Sequence, residues 1–312
     1  MPASAARYDA IDHVLALDLG GRGIAGFFVP GAALAAARAL RRARRVLVVT
    51  GFCVPPGVPE TDGPPGAAVL GRALRLLGAR VRYVTDAAVV PPLEAALKAL
   101  DEPASVDVVR DRGAAALLAR ERPTHLVAIE RPGRCASGDY RSARGESIAA
   151  WNAPLDELFL LARRARPGGG RAGAPVTVAV GDGGNEIGMG NVRSRLAREG
   201  RLMASIASVV RVDHLVVAGT SNWGAYGIVA ALERLARRHL LHTAEVERRL
   251  LQACVDAGAV DGIVRWRRPT VDGLDADVHA GIVTLLGLAA PDTAARRGAL
   301  GRQGGSSIMG SR

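Results

Sequence analysis

Short apolar runs, rich in valine and bounded by turn residues, recur along this chain. Val46–Thr50, Val81–Thr85, Val106–Val109, His125–Glu130, Val176–Val180 and His214–Ala218 have this form. Such runs predict strands covered on both faces. Between most of them apolar positions return with helical spacing, over Ala32–Arg44, Gly66–Leu77, Leu93–Leu100, Ala114–Arg120, Leu155–Ala165 and Ala225–His239. Strand and helix in alternation predict βαβ units. The expected fold is therefore α/β, a mostly parallel sheet of about six strands with helices on both faces and right-handed crossovers. Gly168–Gly173 reads as a flexible loop leading into a strand, and no internal repeat is visible. From about Asp292 periodicity disappears, ending in GRQGGSSIMGSR. Residues 1–290 are expected to form a single domain and 291–312 a disordered tail.

Several connections are longer than linking requires. GFCVPPGVPETDGPPGA follows the first strand, and ERPGR, then Tyr140 and ARGES, follow the fourth. GDGGNEIGMGN follows the fifth and GTSNWGAYG the sixth. Ligands of open α/β sheets bind beyond the carboxyl ends of the strands, so these loops together predict a site.

Composition narrows the function. Of the 312 residues, 49% are hydrophobic, enough for a sizeable core. A net charge of +11 raises the question of nucleic acid. Lys98 is the one lysine, however, the arginines are scattered, and aromatic residues are 4%, leaving few stacking platforms. A nucleic-acid partner is not expected. No run approaches the roughly 20 apolar residues of a membrane span, and the N-terminus lacks a signal-peptide pattern. Cys53, Cys135 and Cys254 are far apart and match no zinc spacing. A cytoplasmic enzyme with a small-molecule substrate is the expectation, and a homo-oligomer is compatible with it.

The glycine-rich run after the fifth strand is the most informative. Its glycines let the backbone approach a ligand and form an anion nest. Asp182, Asn185 and Glu186 within it can accept hydrogen bonds, titrate, or bind a hard metal. No GK[ST] follows, so it is not a phosphate loop of the Walker type, and it does not match GxGxxG. Helix capping is the plain alternative, but capping accounts for one acid rather than two plus an amide. At the sixth strand Ser221 and Asn222 are either helix caps or part of a helix N-terminus that holds a carboxylate. Trp223 reads as packing. Arg131, Arg134 and Arg144 could fork onto a substrate carboxylate, and a solvated surface role is the alternative for each. Glu130, charged at a strand end, is hard to explain as packing. His125 and His214 read as packing or surface residues, and Cys53 as a bystander. Asp272 and His279 are further candidates, although a surface turn followed by a helix also explains them.

GDGGNEIGMGNV, SNWGAY, ERPGR, PPGVPETDGPPGA and DLGGRGIAG together resemble the D-glutamate cyclase family over roughly Ile11 to Leu288. The segment before Arg144, DYRSARGESIAAW, departs from the YYNMRGEDIS pattern expected there. The resemblance implies dehydration of D-glutamate to 5-oxo-D-proline. Closing that lactam requires moving protons from the amine to a carboxyl oxygen, stabilising an oxyanion, and holding the chain folded back. Asp182 and Glu186 are the first candidates for the proton work, with Glu130 or Glu60 as substitutes. Gly183, Gly184, Asn185, Ser221, Asn222, Arg131 and Arg144 are candidates for binding the substrate, a glutamate-like acid. The chemistry requires no cofactor, but a divalent cation, Mg²⁺ or Mn²⁺, could sit on Glu60, Asp62 and Asp182. The rival readings are a divalent-metal-dependent hydrolase or phosphatase acting on a small anionic metabolite, and a non-catalytic sensor of a small acid.

Overall fold

The computed structural model describes residues 8–109, 113–164 and 173–291. All but Gly173 of the Gly168–Gly173 stretch, and the tail from Asp292, lie outside the described residues. In chain order the elements begin with α1 (Ala10–Leu15), α2 (Ala32–Leu40), β1 (Arg45–Thr50), β2 (Cys53–Val54), β3 (Val58–Pro59) and α3 (Pro64–Leu76). There follow β4 (Arg80–Thr85), α4 (Val90–Ala99), β5 (Val106–Val108), α5 (Ala114–Glu121), β6 (His125–Ile129) and α6 (Glu157–Arg164). Next come β7 (Val176–Gly181), α7 (Arg193–Leu196), α8 (Arg201–Ile206), β8 (His214–Val217) and α9 (Ser221–Ala236). The last are α10 (Ala244–Asp256), β9 (Thr270–Val271), β10 (Leu274–Asp275) and α11 (Ala276–Ala289).

The six expected strands form one parallel sheet in the order β5-β4-β1-β6-β7-β8. Every residue of β6, and β1 from Val46 onward, is buried, as strands covered on both faces must be. The chain moves outward from β1 through β4 to β5, then returns to lay β6 on the other edge of β1. With right-handed crossovers that reversal puts α5 and α6 on the face opposite α3 and α4. Helices α5 and α6 accordingly pack on each other, while α9 packs on α2 and α3. Between β1 and β6 lies the topological switch point, beyond whose carboxyl end open α/β sheets place their ligands. No helix among the described residues is long and apolar enough to cross a membrane.

Helix α9 starts four residues before the expected Ala225. Its N-cap is Thr220, extended at φ −141°, whose hydroxyl accepts from Trp223 N at 3.3 Å. Ser221 and Asn222 are therefore not caps. They are the first two helical residues, and their amide N–H groups donate to the Asp62 carboxylate.

Candidate active site

The loop after β1 carries Glu60 and Asp62. It is pinned from the far end of the chain, because Thr61 N donates to Val260 O (2.9 Å) and Thr61 Oγ1 to Thr270 O (2.7 Å). The Asp62 carboxylate accepts from Ser221 N and Asn222 N, both at 2.8 Å, and from Gly63 N at 3.1 Å. The carboxylate held by the α9 N-terminus is thus the protein's own, where the helix dipole and free amides favour negative charge. The Asn222 side chain joins the starts of α3 and α9: Oδ1 accepts from Gly63 N (3.0 Å) and Gly66 N (2.8 Å), and Nδ2 donates to Thr61 O (3.1 Å).

The loop after β7 folds Glu186 back on itself. Its carboxylate accepts from Gly183 N at 2.6 Å and Gly184 N at 2.8 Å. The anion nest is real, and its occupant is Glu186. A Cβ on Gly183 would lie 2.9 Å from Glu186 Oε1 and 3.2 Å from Arg22 Nη2, so a side chain there would push the Glu186 and Arg22 tips from their present places. Asn185 donates instead to Arg141 O (2.7 Å), tying this loop to the segment after β6. Glu130, one residue past β6, sits at φ 41°, a left-handed conformation that non-glycine residues avoid. It accepts from Ser221 Oγ at 2.6 Å.

Asp182 lies where these loops meet. Its Oδ2 accepts from Ser221 N at 3.2 Å, and its Oδ1 accepts from Arg22 Nη2 at 2.5 Å. Arg22 also faces Asp272, Nη1 to Oδ1 being 3.6 Å. Asp272 and Gly273, at φ 53° and 80°, form the two-residue turn of the β9–β10 hairpin. Asp-Gly suits such a turn because both central residues take positive φ. Asp261 fixes the turn's approach, accepting from Ile263 N, Val264 N and Gly273 N at 2.7–3.0 Å. Carboxylate oxygens of Asp62, Asp182 and Asp272 lie within 4.8 Å of one another, as do those of Glu130, Asp182 and Glu186. Asp182 belongs to both groups. The Glu60 carboxylate completes the site against Gly262, where a Cβ would lie 1.9 Å from Glu60 Oε2.

Residues 11–287 match the D-glutamate cyclase-like, C-terminal family. The chain belongs to that family. The mitochondrial D-glutamate cyclase of Homo sapiens is 33% identical over 293 residues, which cover 88% of this chain. They cover 45% of the human protein, so this member spans about half the length of that relative. Among solved structures, an exopolyphosphatase-related protein from Bacteroides fragilis aligns over 89% of this chain and 61% of its own, at 8% identity and a TM-score of 0.35. That likeness is too low to bear on fold or reaction.

In this D-glutamate cyclase-like domain, five buried carboxylates and the half-buried Asp272 gather beside the Arg22 guanidinium. Burial pushes Glu60, Asp62 and Glu130 well above the usual carboxylate range, and the neighbouring carboxylates add to it, Asp272 on Glu60 and Asp182 on the other two. Asp272 is likewise pushed well up by burial, with Arg22 pulling it back. Burial and Asp182 push Glu186 up to about 7, against the amide of Gly183. Burial alone would weaken the charge on Arg22, but Asp182 and Asp272 outweigh it.

A stability consequence follows for Glu60. Its folded pKa is raised above the ordinary 4.5, so the stability that goes with its protonated form is fully present below pH 4.5 and is lost as pH rises toward the folded value. Glu60→Gln removes that loss. In EDTA, melting temperatures of variant and wild type are expected to agree near pH 4.5 and to separate in the variant's favour by pH 8. Equal melting at pH 8 would contradict this.

Other expected residues lie elsewhere. Arg131 is fully buried and its guanidinium is held within the protein, by Asp86, Gly51 O (2.9 Å) and Ala153 O (2.5 Å), rather than offered to a ligand. Arg134 pairs with Asp156 at 2.7 Å. Arg144 is exposed and donates to Ile263 O at 3.3 Å, outside the carboxylate cluster. His279 is a packing residue: it accepts from Trp223 Nε1 at 2.8 Å, its other ring nitrogen faces Leu274 O, and burial lowers its pKa. Burial pushes the Cys53 thiol up to about 12, consistent with an inert residue. Arg22 was not singled out from the sequence. Its signal was faint, a lone arginine within the glycine turn of DLGGRGIAG.

Proposed function

We propose that this domain converts D-glutamate, or a closely related α-amino diacid, to the five-membered lactam 5-oxo-D-proline with loss of water. The observation that carries the reading is the convergence of Glu130, Asp182 and Glu186 within 4.8 Å of one another, in a chain 33% identical to a protein named D-glutamate cyclase. The reaction needs proton carriers of different strength in one place. Glu186, near pH 7, suits a group that takes a proton from the substrate ammonium. Glu130, held well above the usual range, suits a carboxylic acid that gives a proton to the departing oxygen. The amine nitrogen bonds to the carbonyl carbon of the γ-carboxyl group, and one carbon–oxygen bond of that same group breaks. Both protons lost by the ammonium leave in the water, so the step needs no oxidant and no net acid.

The residues also fit a divalent cation. Asp272 Oδ2 is buried without a hydrogen-bond partner, and hard oxygen donors suit Mg²⁺ or Mn²⁺. Asp62, Asp182 and Asp272 would hold it, with Glu60 beside them. When bound, such a cation supplies positive charge toward which a carboxyl oxygen is drawn. Protein stripped with EDTA is expected to lose glutamate turnover and to regain it with Mn²⁺ or Mg²⁺, without releasing phosphate from p-nitrophenyl phosphate. Cation-dependent phosphate release with no glutamate consumed would replace the cyclase reading with that of a metal-dependent hydrolase.

A further inference from the structure

The carboxylates account for the negative side of the site, and among the described residues Arg22 supplies the positive charge paired with them. Asp182 offers two oxygens. Oδ2 faces the Ser221 amide, and Oδ1 faces Arg22 Nη2. A cation held by Asp182 and Asp272 would draw on the same two carboxylates that Arg22 faces. Arg22 also sits differently from the acids. Its backbone is fixed, because Asp18 accepts from Arg22 N at 2.6 Å and from Gly23 N at 2.7 Å. Around it Leu19, Gly20, Gly21 and Gly23 are exposed, and a Cβ on Gly21 or Gly23 would meet nothing within 4 Å. The turn is anchored, and the side chain still reaches solvent at 16% relative exposure against 0% for Asp182.

Resting on the cation reading above, we propose that Arg22 and the divalent cation compete for the same oxygens, Asp182 Oδ1 and Asp272 Oδ1. Cation binding displaces the guanidinium, which turns outward at the mouth of the site and holds a carboxylate of the substrate. Arg22 is then a specificity-determining residue that couples the two events. Its planar fork matches a carboxylate in two hydrogen bonds, which a lysine ammonium cannot reproduce. Displacement also lowers the charge conflict, since a guanidinium and a dication a few ångströms apart repel strongly in a buried site.

Calorimetric titration of the full chain with Mn²⁺ tests this, on wild type, Arg22→Gln and Arg22→Lys. Arg22→Gln is expected to bind Mn²⁺ at least tenfold more tightly than wild type. Arg22→Lys, which keeps the charge and so guards against a folding defect, is expected to fall between them. At saturating Mn²⁺, Arg22→Gln should raise KM for D-glutamate at least tenfold with a smaller change in kcat. Unchanged or weaker Mn²⁺ binding by Arg22→Gln overturns the competition. Tighter Mn²⁺ binding with an unchanged KM overturns the substrate contact. Absence of Mn²⁺ heat from all three chains overturns the cation reading itself and this inference with it.

Discussion

Asp182→Asn is expected to lower turnover by roughly a hundredfold or more, the scale of impaired proton transfer, because it removes a carboxylate that would hold the cation and that raises the proton affinity of Glu130 and Glu186, while the chain stays folded. Asp182 is fully buried at the meeting point of both carboxylate groups. Its backbone follows β7 directly, so the sheet fixes its position. Asparagine keeps the size and can still accept from Ser221 N, but it lacks the charge and the titratable proton. The loss of the Arg22 ion pair is softened because Asp272 stands 3.6 Å from the same guanidinium. Removing one negative charge from a crowded cluster also relieves repulsion. Melting temperature in EDTA should therefore shift by no more than a few degrees. Near-wild-type turnover would remove Asp182 from the catalytic group.

The second large effect is on stability. Arg131→Leu is expected to destabilise the fold by about 3–5 kcal/mol, the cost of leaving a buried ion-pair partner alone. Arg131 joins the end of β1 through Gly51 O, the loop after β4 through Asp86, and the segment before α6 through Ala153 O. Asp86 further accepts from Ala153 N at 2.9 Å. The substitution leaves the Asp86 carboxylate and two carbonyl oxygens without their donor. Adding Asp86→Leu should recover part of the loss, because a pair of apolar residues leaves no unpaired charge. Urea unfolding of both variants checks this. A single variant within about 1 kcal/mol of wild type would return Arg131 to the list of free ligand-binding arginines.

The sheet was legible because parallel strands covered on both faces must be unbroken apolar runs, and the six runs around Val46, Val81, Val106, His125, Val176 and His214 became six strands. The carboxyl-end loops were legible by their length and their acids. What the loops hold was not. An anion nest and a helix N-terminus were readable as carboxylate sites, but nothing local says whose carboxylate fills them. In this structure Glu186 and Asp62 do. Asp272 read from the sequence as part of a surface turn before a helix, and its place beside Asp182 depends on Thr61 pinning the chain's far end. Arg22 contacts Asp182 across 160 positions, a separation at which no periodicity operates. The start of α9 was misplaced because Gly224 made SNWG read as a turn, whereas the Thr220 cap lets the helix begin before it.

One measurement bears most directly on the central claim, that this cluster closes an α-amino diacid into a lactam. Purified chain is incubated with D-glutamate or L-glutamate, in Mn²⁺ or in EDTA, and 5-oxoproline is resolved by chiral chromatography. The expected result is 5-oxo-D-proline from D-glutamate in Mn²⁺, little from L-glutamate, and loss of product in EDTA and in Asp182→Asn. No 5-oxoproline above the uncatalysed background from either enantiomer, in a folded chain that binds Mn²⁺, would contradict it.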